Sequence, residues 1–247
     1  MHHISLGTDT AGLETLKKEL EANGTKLLDP PALVSGEGLW FRDPEGVLLN
    51  LSVADPAPWA DAPEWRINNP GHYDRRGVRG FPARDTVVKP RRLGHLLSFT
   101  TNIEDKIDFY TRVLGMRLSD RAQDMVAFLH VPGGSDHHVL AFLAGERPGF
   151  HHASFKVANV DEVGLGGCQM IAKGHRNGWG LGRHVIGSNF FHYIRDPWNG
   201  MAEYFCDIDY IPADAVWQPK DWPLEDSLYV WGPDLPEDFP INFEEPA

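Results

Sequence analysis

Twelve histidines are spread over 247 residues, and a few of them stand where an extended segment would aim an imidazole at a polar space. In His151-His152-Ala153-Ser154-Phe155-Lys156-Val157, strand alternation puts His151 with Ala153, Phe155 and Val157 on an apolar face. His152 then shares the opposite, polar face with Ser154 and Lys156. His95 opens a second extended run, Gly94-His95-Leu96-Leu97-Ser98-Phe99, and Glu203 lies in Met201-Ala202-Glu203-Tyr204-Phe205. A carboxylate among such neighbours is costly to bury unless it is paired or bound to a metal. Two histidines and one carboxylate from separate strands form the facial donor set suited to non-haem Fe(II) with open coordination positions.

Three further groups fit acid–base work. His137-His138 precedes a strand, and alternation lets one of the two face a central cavity. Gly182-Arg183-His184 and His192-Tyr193-Ile194 lie in a neighbouring pair of strands, with His192 and Tyr193 on opposite faces. A cross-strand pair or a hydrogen-bonded core tyrosine explains each of them, taken singly, about as well. His72, His130 and His175 read as structural.

The elements that must hold these residues repeat. His2-His3-Ile4-Ser5-Leu6 resembles His151-His152-Ala153-Ser154-Phe155. Each is followed by a helical pattern, 10–22 and 160–172, and then by an aromatic strand running into Arg-Asp-Pro at 42–44 and 195–197. A final strand closes each copy, at 47–53 and 201–208. A third such unit lies between them, with a strand at 93–100, a helix at 103–114 and strands near 116–121, 125–131 and 138–144. Aligning the Arg-Asp-Pro segments sets His3 opposite His152 but Leu49 opposite Glu203, which disfavours a metal site in the first copy. The segment 56–90, rich in Pro, Gly, Asn and Arg, reads as a linker. The last stretch, from Ile211, carries seven prolines and the aromatic anchors Trp217, Trp222, Trp231 and Phe239, so it is expected to pack on the body.

Composition narrows the function. A 42% hydrophobic and 23% charged chain is ordinary for a globular protein. The net charge of −12, with no basic stripe, argues against nucleic acid or an anionic membrane as partner. The longest apolar stretch, around 47–54, is far short of the roughly 20 residues that span a bilayer. Two cysteines, Cys168 and Cys206, make no disulfide framework, and with no signal-peptide pattern at the start a cytoplasmic location is expected.

Taken together, Gly94-His95-Leu96-Leu97, His137-His138-Val139-Leu140-Ala141-Phe142, His151-His152, Gly182-Arg183-His184 and Tyr193-Ile194-Arg195-Asp196-Pro197 leading to Glu203 resemble the type I extradiol ring-cleaving dioxygenases of the vicinal oxygen chelate superfamily. The separations of 14 residues from 138 to 152, 9 from 184 to 193 and 51 from 152 to 203 fit as well. The resemblance implies an α+β fold of tandem βαβββ modules in a glyoxalase-like arrangement, three of them visible where the family has four. It divides the chain into a partial N-terminal domain (1–55), the linker (56–90), a catalytic domain (91–212) and a tail (213–247) that caps the active site.

It further implies metal ligands His95, His152 and Glu203, an acid–base His138, and His184 and Tyr193 beside the substrate. The cofactor would be Fe(II), less often Mn(II), and the substrates a catechol and O₂, with a homo-oligomer as the assembly. His138 would move a proton from a substrate hydroxyl and later return it. Some relatives place Asp at the position of Gly187 and Asn at that of Leu97, so the polar surroundings of the ring differ here. Because the chain opens on the strand equivalent to 151–157, the first module is expected to be absent, with Met1 a truncated start or the lone module packed elsewhere. The alternatives are a glyoxalase-type isomerase or lyase, which normally uses four protein ligands, and a resistance-type binding module without redox chemistry.

Overall fold

Among the described residues, each of the three α-helices begins where an Asp or Asn side chain accepts from the backbone of its first turn: Asp9 from Gly12 N at 2.6 Å, Asn102 from Asp105 N at 3.2 Å and Asn159 from Glu162 N at 3.1 Å. The computed structural model describes residues 1–32, 34, 36–56, 58, 66–80 and 83–244. Pro63 and Pro82 of the expected linker and the last three residues of the tail lie outside them. The N-terminal unit is β1 (Ile4–Thr8), α1 (Thr10–Ala22), β2 (Leu39–Arg42) and β3 (Leu48–Val53). The second is β4 (Arg92–Thr100), α2 (Ile103–Asp108), β5 (Arg117–Ala122), β6 (Val126–His130) and β7 (Leu140–Ala144). The third is β8 (Gly149–Lys156), α3 (Val160–Ala172), β9 (Asn177–His184), β10 (Phe190–Arg195) and β11 (Met201–Cys206), and the tail adds β12 (Tyr229–Trp231). Among the described residues, no helix is long and apolar enough to cross a membrane.

The second and third units form one ten-stranded sheet. Its centre is the antiparallel pair β4–β8, and each of these strands has its own unit's last strand, β7 or β11, as a parallel neighbour. The halves therefore mirror one another, β5-β6-β7-β4 against β8-β11-β10-β9. The tail closes both ends: Lys220–Asp221 pairs with β5 and β12 pairs with β9. Very short strands at both edges limit the unpaired backbone that the sheet presents. Trp231 anchors through its backbone in this ladder, since its indole is 46% exposed, whereas Phe239 is buried as expected.

Three further details differ from the sequence reading. The run 103–114 is not one α-helix, because Phe109–Val113 forms a π-helical turn closed by Leu114 N donating to Phe109 O at 3.2 Å. In the N-terminal unit the sheet is β1-β3-β2, and the remaining strand of the repeat is reduced to an isolated bridge between Leu28 and Trp40. The segment expected to be irregular also holds a short hairpin, Asn68–Asn69 with His72–Tyr73.

The N-terminal unit packs on the second unit. Ile4, Phe41 and Leu49 share one apolar cluster with Ile103, Phe109, Tyr110 and Val113. Within this contact Lys106, fully buried, pairs with Asp43 and lies 3.1 Å from Glu45, while the Tyr110 hydroxyl donates to Asp43 at 3.2 Å. Removing one partner of a buried pair leaves an uncompensated charge. Lys106→Met is therefore expected to destabilise the chain by about 3–5 kcal/mol in denaturant titration. Breaking the exposed Arg112–Asp108 pair should cost less than about 1 kcal/mol, and equal effects would contradict this reading.

Candidate active site

The central strands β4 and β8 and the last strand β11 bring His95, His152 and Glu203 together, with ligand-capable atoms all within 4.8 Å of one another. Among the described residues no other group of three His, Cys, Asp or Glu side chains converges in this way. Register explains the meeting. Ser154 pairs with His95 on one side and with Glu203 on the other, so residues from all three strands stand at one level. Glu203 is fully buried; Ser154 donates its hydroxyl to Oε2, and Asn189 donates Nδ2 to Oε1 at 3.1 Å. His95 Nε2 lies 3.1 Å and His152 Nε2 3.7 Å from Oε2.

A divalent cation fits these residues. His152 Nε2 is buried with no hydrogen-bond partner, yet it faces a buried carboxylate held by a hydroxyl, an amide and imidazoles. An orphaned ring nitrogen costs free energy unless something occupies it. Two imidazoles and one carboxylate on one side leave the other coordination positions open.

Around this cluster is a cavity of about 340 Å³, entered by His138, His184 and Tyr193. The rest of its wall is largely apolar, with Leu97, Phe128 and Leu143 from one half-sheet and Leu228, Leu235 and Phe239 from the tail. Among the described residues that line it there is no lysine, arginine, aspartate or glutamate. Of the histidine pairs, His138 enters the cavity and His137 turns to Asp120, its Nε2 3.2 Å from Oδ2. Tyr193 enters, while His192 faces away to Asn177 at 3.0 Å. His130 bonds Ser119 and His72 pairs with Asp74, both outside the site.

Hydrogen-bond partners define which ring nitrogens carry protons. His137 Nε2 meets a carboxylate and so donates; in the neutral ring its Nδ1 accepts from His138 Nδ1 at 3.1 Å, an arrangement that leaves His138 Nε2 a bare lone pair. His184 Nδ1 donates to the Leu228 carbonyl at 2.8 Å, so its Nε2 accepts from the Tyr193 hydroxyl at 3.0 Å. Burial, reinforced by neighbouring imidazoles, holds His138 and His152 well below the usual histidine range. Burial also lowers His184, and burial together with Glu203 raises Tyr193 well above the ordinary phenol. These groups are neutral at pH 7.

Reading from the sequence did not find Asp120, Asn189 or the part played by His151. Alternation had set His151 and His152 on opposite faces. The ladder to β4 shifts between Phe150 and His152, leaving His151 unpaired, and the two rings instead touch Nδ1 to Nδ1 at 2.6 Å.

The buried imidazoles predict an acid limit. Burial takes His151 from 6.5 to about 3. The unfolded chain binds that proton first, so the contribution to stability is whole above about 6.5 and is lost as pH falls toward 3. Each unit costs about 1.4 kcal/mol for one such group. Unfolding midpoints in denaturant should fall steadily from pH 7 to pH 4 in metal-free protein, and a flat profile would contradict the buried neutral state.

Comparison with known proteins gives the family context. Residues 92–204 match the family model described as the Glyoxalase/Bleomycin resistance protein/Dioxygenase superfamily. The chain is 46% identical over 239 residues to "Metapyrocatechase 2" of Cupriavidus necator, covering 96% of this chain and 72% of that protein. It is 31% identical over 230 residues to "Iron-dependent extradiol dioxygenase" of Rhodococcus jostii, covering 87% of this chain and 75% of that one. The fold also matches the crystal structure of the Mn(II)-bound glyoxalase from Novosphingobium aromaticivorans, with a TM-score of 0.70 and 26% identity over 93% of this chain and 70% of that chain.

Proposed function

This chain belongs to the extradiol dioxygenases of the glyoxalase/bleomycin resistance protein/dioxygenase superfamily, and from that premise we propose that it opens a catechol ring beside its two hydroxyls, adding both atoms of O₂. The observation that carries the reading is the convergence of His95, His152 and the fully buried Glu203 beside a cavity whose lining also includes His138, His184 and Tyr193. Fe(II) bound by His95, His152 and Glu203 would supply the redox centre through which a catecholate passes electron density to O₂; Mn(II) suits the same ligands.

The chain's own residues do the rest. His138 presents an unprotonated Nε2 to the cavity, poised to take a proton from a substrate hydroxyl and to return it when the O–O bond breaks. Asp120 and His137 hold that tautomer and stabilise the imidazolium that forms. The Tyr193 hydroxyl, whose one hydrogen goes to His184 Nε2 in this structure, becomes a donor to an anionic substrate oxygen by turning that hydrogen away from His184. The apolar wall selects a catechol whose ring substituent is uncharged, since its described lining residues include no lysine or arginine to compensate a buried carboxylate.

An oxygen electrode tests this with full-length protein loaded anaerobically with Fe(II) or Mn(II). Alkylcatechols should consume O₂ and yield a yellow ring-opened product, and a carboxylated catechol should show kcat/KM lower by more than about 100-fold, the cost of an unpaired buried charge. Catechol binding without oxygen uptake would mark a binding module. Preference for the carboxylated ring would overturn the assignment of the apolar wall.

A further inference from the structure

His151 is 2% exposed and belongs to the cavity wall, with its ring packed against Phe99 at 5.1 Å and Phe239 at 4.8 Å. Its Nε2 is 3.0 Å from the carbonyl oxygen of Phe239. A carbonyl only accepts, so this nitrogen carries the hydrogen. The Nδ1 of a neutral His151 is then a lone pair, and its 2.6 Å contact with His152 is a hydrogen bond only if His152 Nδ1 donates. That in turn leaves His152 Nε2 as a lone pair, and Nε2 is the atom that faces Glu203 with no hydrogen-bond partner. The opposite arrangement would place a charged imidazolium between two aromatic rings, which burial disfavours.

The far end of this chain of bonds is fixed. Arg195, itself buried, donates to the Asp238 carbonyl at 2.8 Å and pairs with the Asp238 carboxylate at 2.9 Å, while Phe239 N donates to Pro236 O at 3.0 Å. The tail carbonyl is thereby held against the ring. The repeat offers a contrast: His2 and His3 touch Nδ1 to Nδ1 at 2.8 Å on the exposed surface, with Leu49 where the third unit has Glu203. An adjacent histidine pair alone does not make the arrangement; the anchored outer acceptor does.

We propose that His151 is a positioning residue that relays the Phe239 carbonyl to His152, keeping His152 Nε2 deprotonated and aimed at the metal position, so that the C-terminal tail sets metal affinity. The proposal rests on the reading of His152 as a ligand. Outer partners of metal-bound histidines typically command 10–100-fold in affinity. Two full-length variants separate hydrogen bonding from packing. His151→Phe keeps a ring between Phe99 and Phe239 without an acceptor, and His151→Asn places an amide oxygen where Nδ1 stands.

Mn(II) affinity is measured by chelator competition on metal-free protein, and the His152 tautomer by ring ¹⁵N shifts. His151→Phe should bind Mn(II) about 10–100-fold more weakly. His151→Asn should stay within about threefold of the parent chain, a small part of that range. In the unsubstituted protein His152 should carry its proton on Nδ1. The relay is overturned if His151→Phe binds as tightly as the parent, if both variants weaken alike, or if His152 carries its proton on Nε2. The tautomer measurement needs no variant to fold. Mn(II) binding that survives in His152→Ala would instead overturn the ligand assignment on which the relay rests.

Discussion

Changing His152 to alanine is expected to abolish oxygen uptake and to weaken divalent-metal binding by more than about 100-fold, beyond the range that outer partners of a ligand command. The side chain supplies one of three convergent donors, and its Nε2 has no protein partner to satisfy it otherwise. A metal that binds only the folded chain raises stability by about 2.7 kcal/mol at 100 times its Kd. Saturating Mn(II) should therefore raise the unfolding temperature of the parent protein and leave that of His152→Ala unchanged. A full thermal shift in the variant would show that the ion is held elsewhere.

His138→Gln should separate metal binding from chemistry. Its ring packs 4.2 Å from His95 and 4.8 Å from Phe128 by centroid, but its Nε2 is free to face the cavity rather than the cluster. Glutamine keeps a polar group of similar reach and cannot take up and return a proton. Loss of general acid–base help typically costs 10²–10⁴-fold, so kcat should fall by about that factor. Mn(II) affinity should stay within about threefold, well short of the effect of a ligand's own partner. The variant should still bind catechols, which a spectroscopic titration under anaerobic conditions would show. An unchanged kcat would remove His138 from the reaction, and a large loss of metal affinity would make it part of the metal cluster.

The extent to which these roles could be read from the sequence follows from what side-chain patterns encode. His95, His152 and Glu203 were legible because each sits in a run whose alternation or apolar neighbours make its chemistry conspicuous. The His138–His137 and Tyr193–His192 choices were posed correctly, one member inward in each, but alternation could not say which. His151 was misplaced because a ladder irregularity interrupts the period of two, and such a shift has no residue signature here. The Leu228 and Phe239 carbonyls, which orient His184 and His151, were beyond reach for another reason: any residue offers a carbonyl. Asp120 and Asn189 act through contacts 17 and 14 residues away in sequence, to His137 and Glu203, that only the folded sheet makes close.

The N-terminal unit teaches the same lesson at the level of packing. Its strand–helix–strand pattern was visible, including the Arg-Asp-Pro turn that holds Asp43. That Asp43 and Glu45 reach a buried lysine of the next unit is a contact between distant parts of the chain that the periodicity does not announce. The unit is bound to the second unit by shared core and by charge, so its loss would bare Lys106, Phe109 and Tyr110 together.

The most direct measurement is the fate of ¹⁸O₂ in a single turnover of the Fe(II)-loaded, full-length protein with an alkylcatechol. Mass spectrometry should find one ring-opened product retaining every carbon of the substrate and, when carbonyl exchange with solvent is trapped by rapid reduction, both labelled oxygen atoms. An intact ring, or product formed equally well without O₂, would contradict the account at its centre.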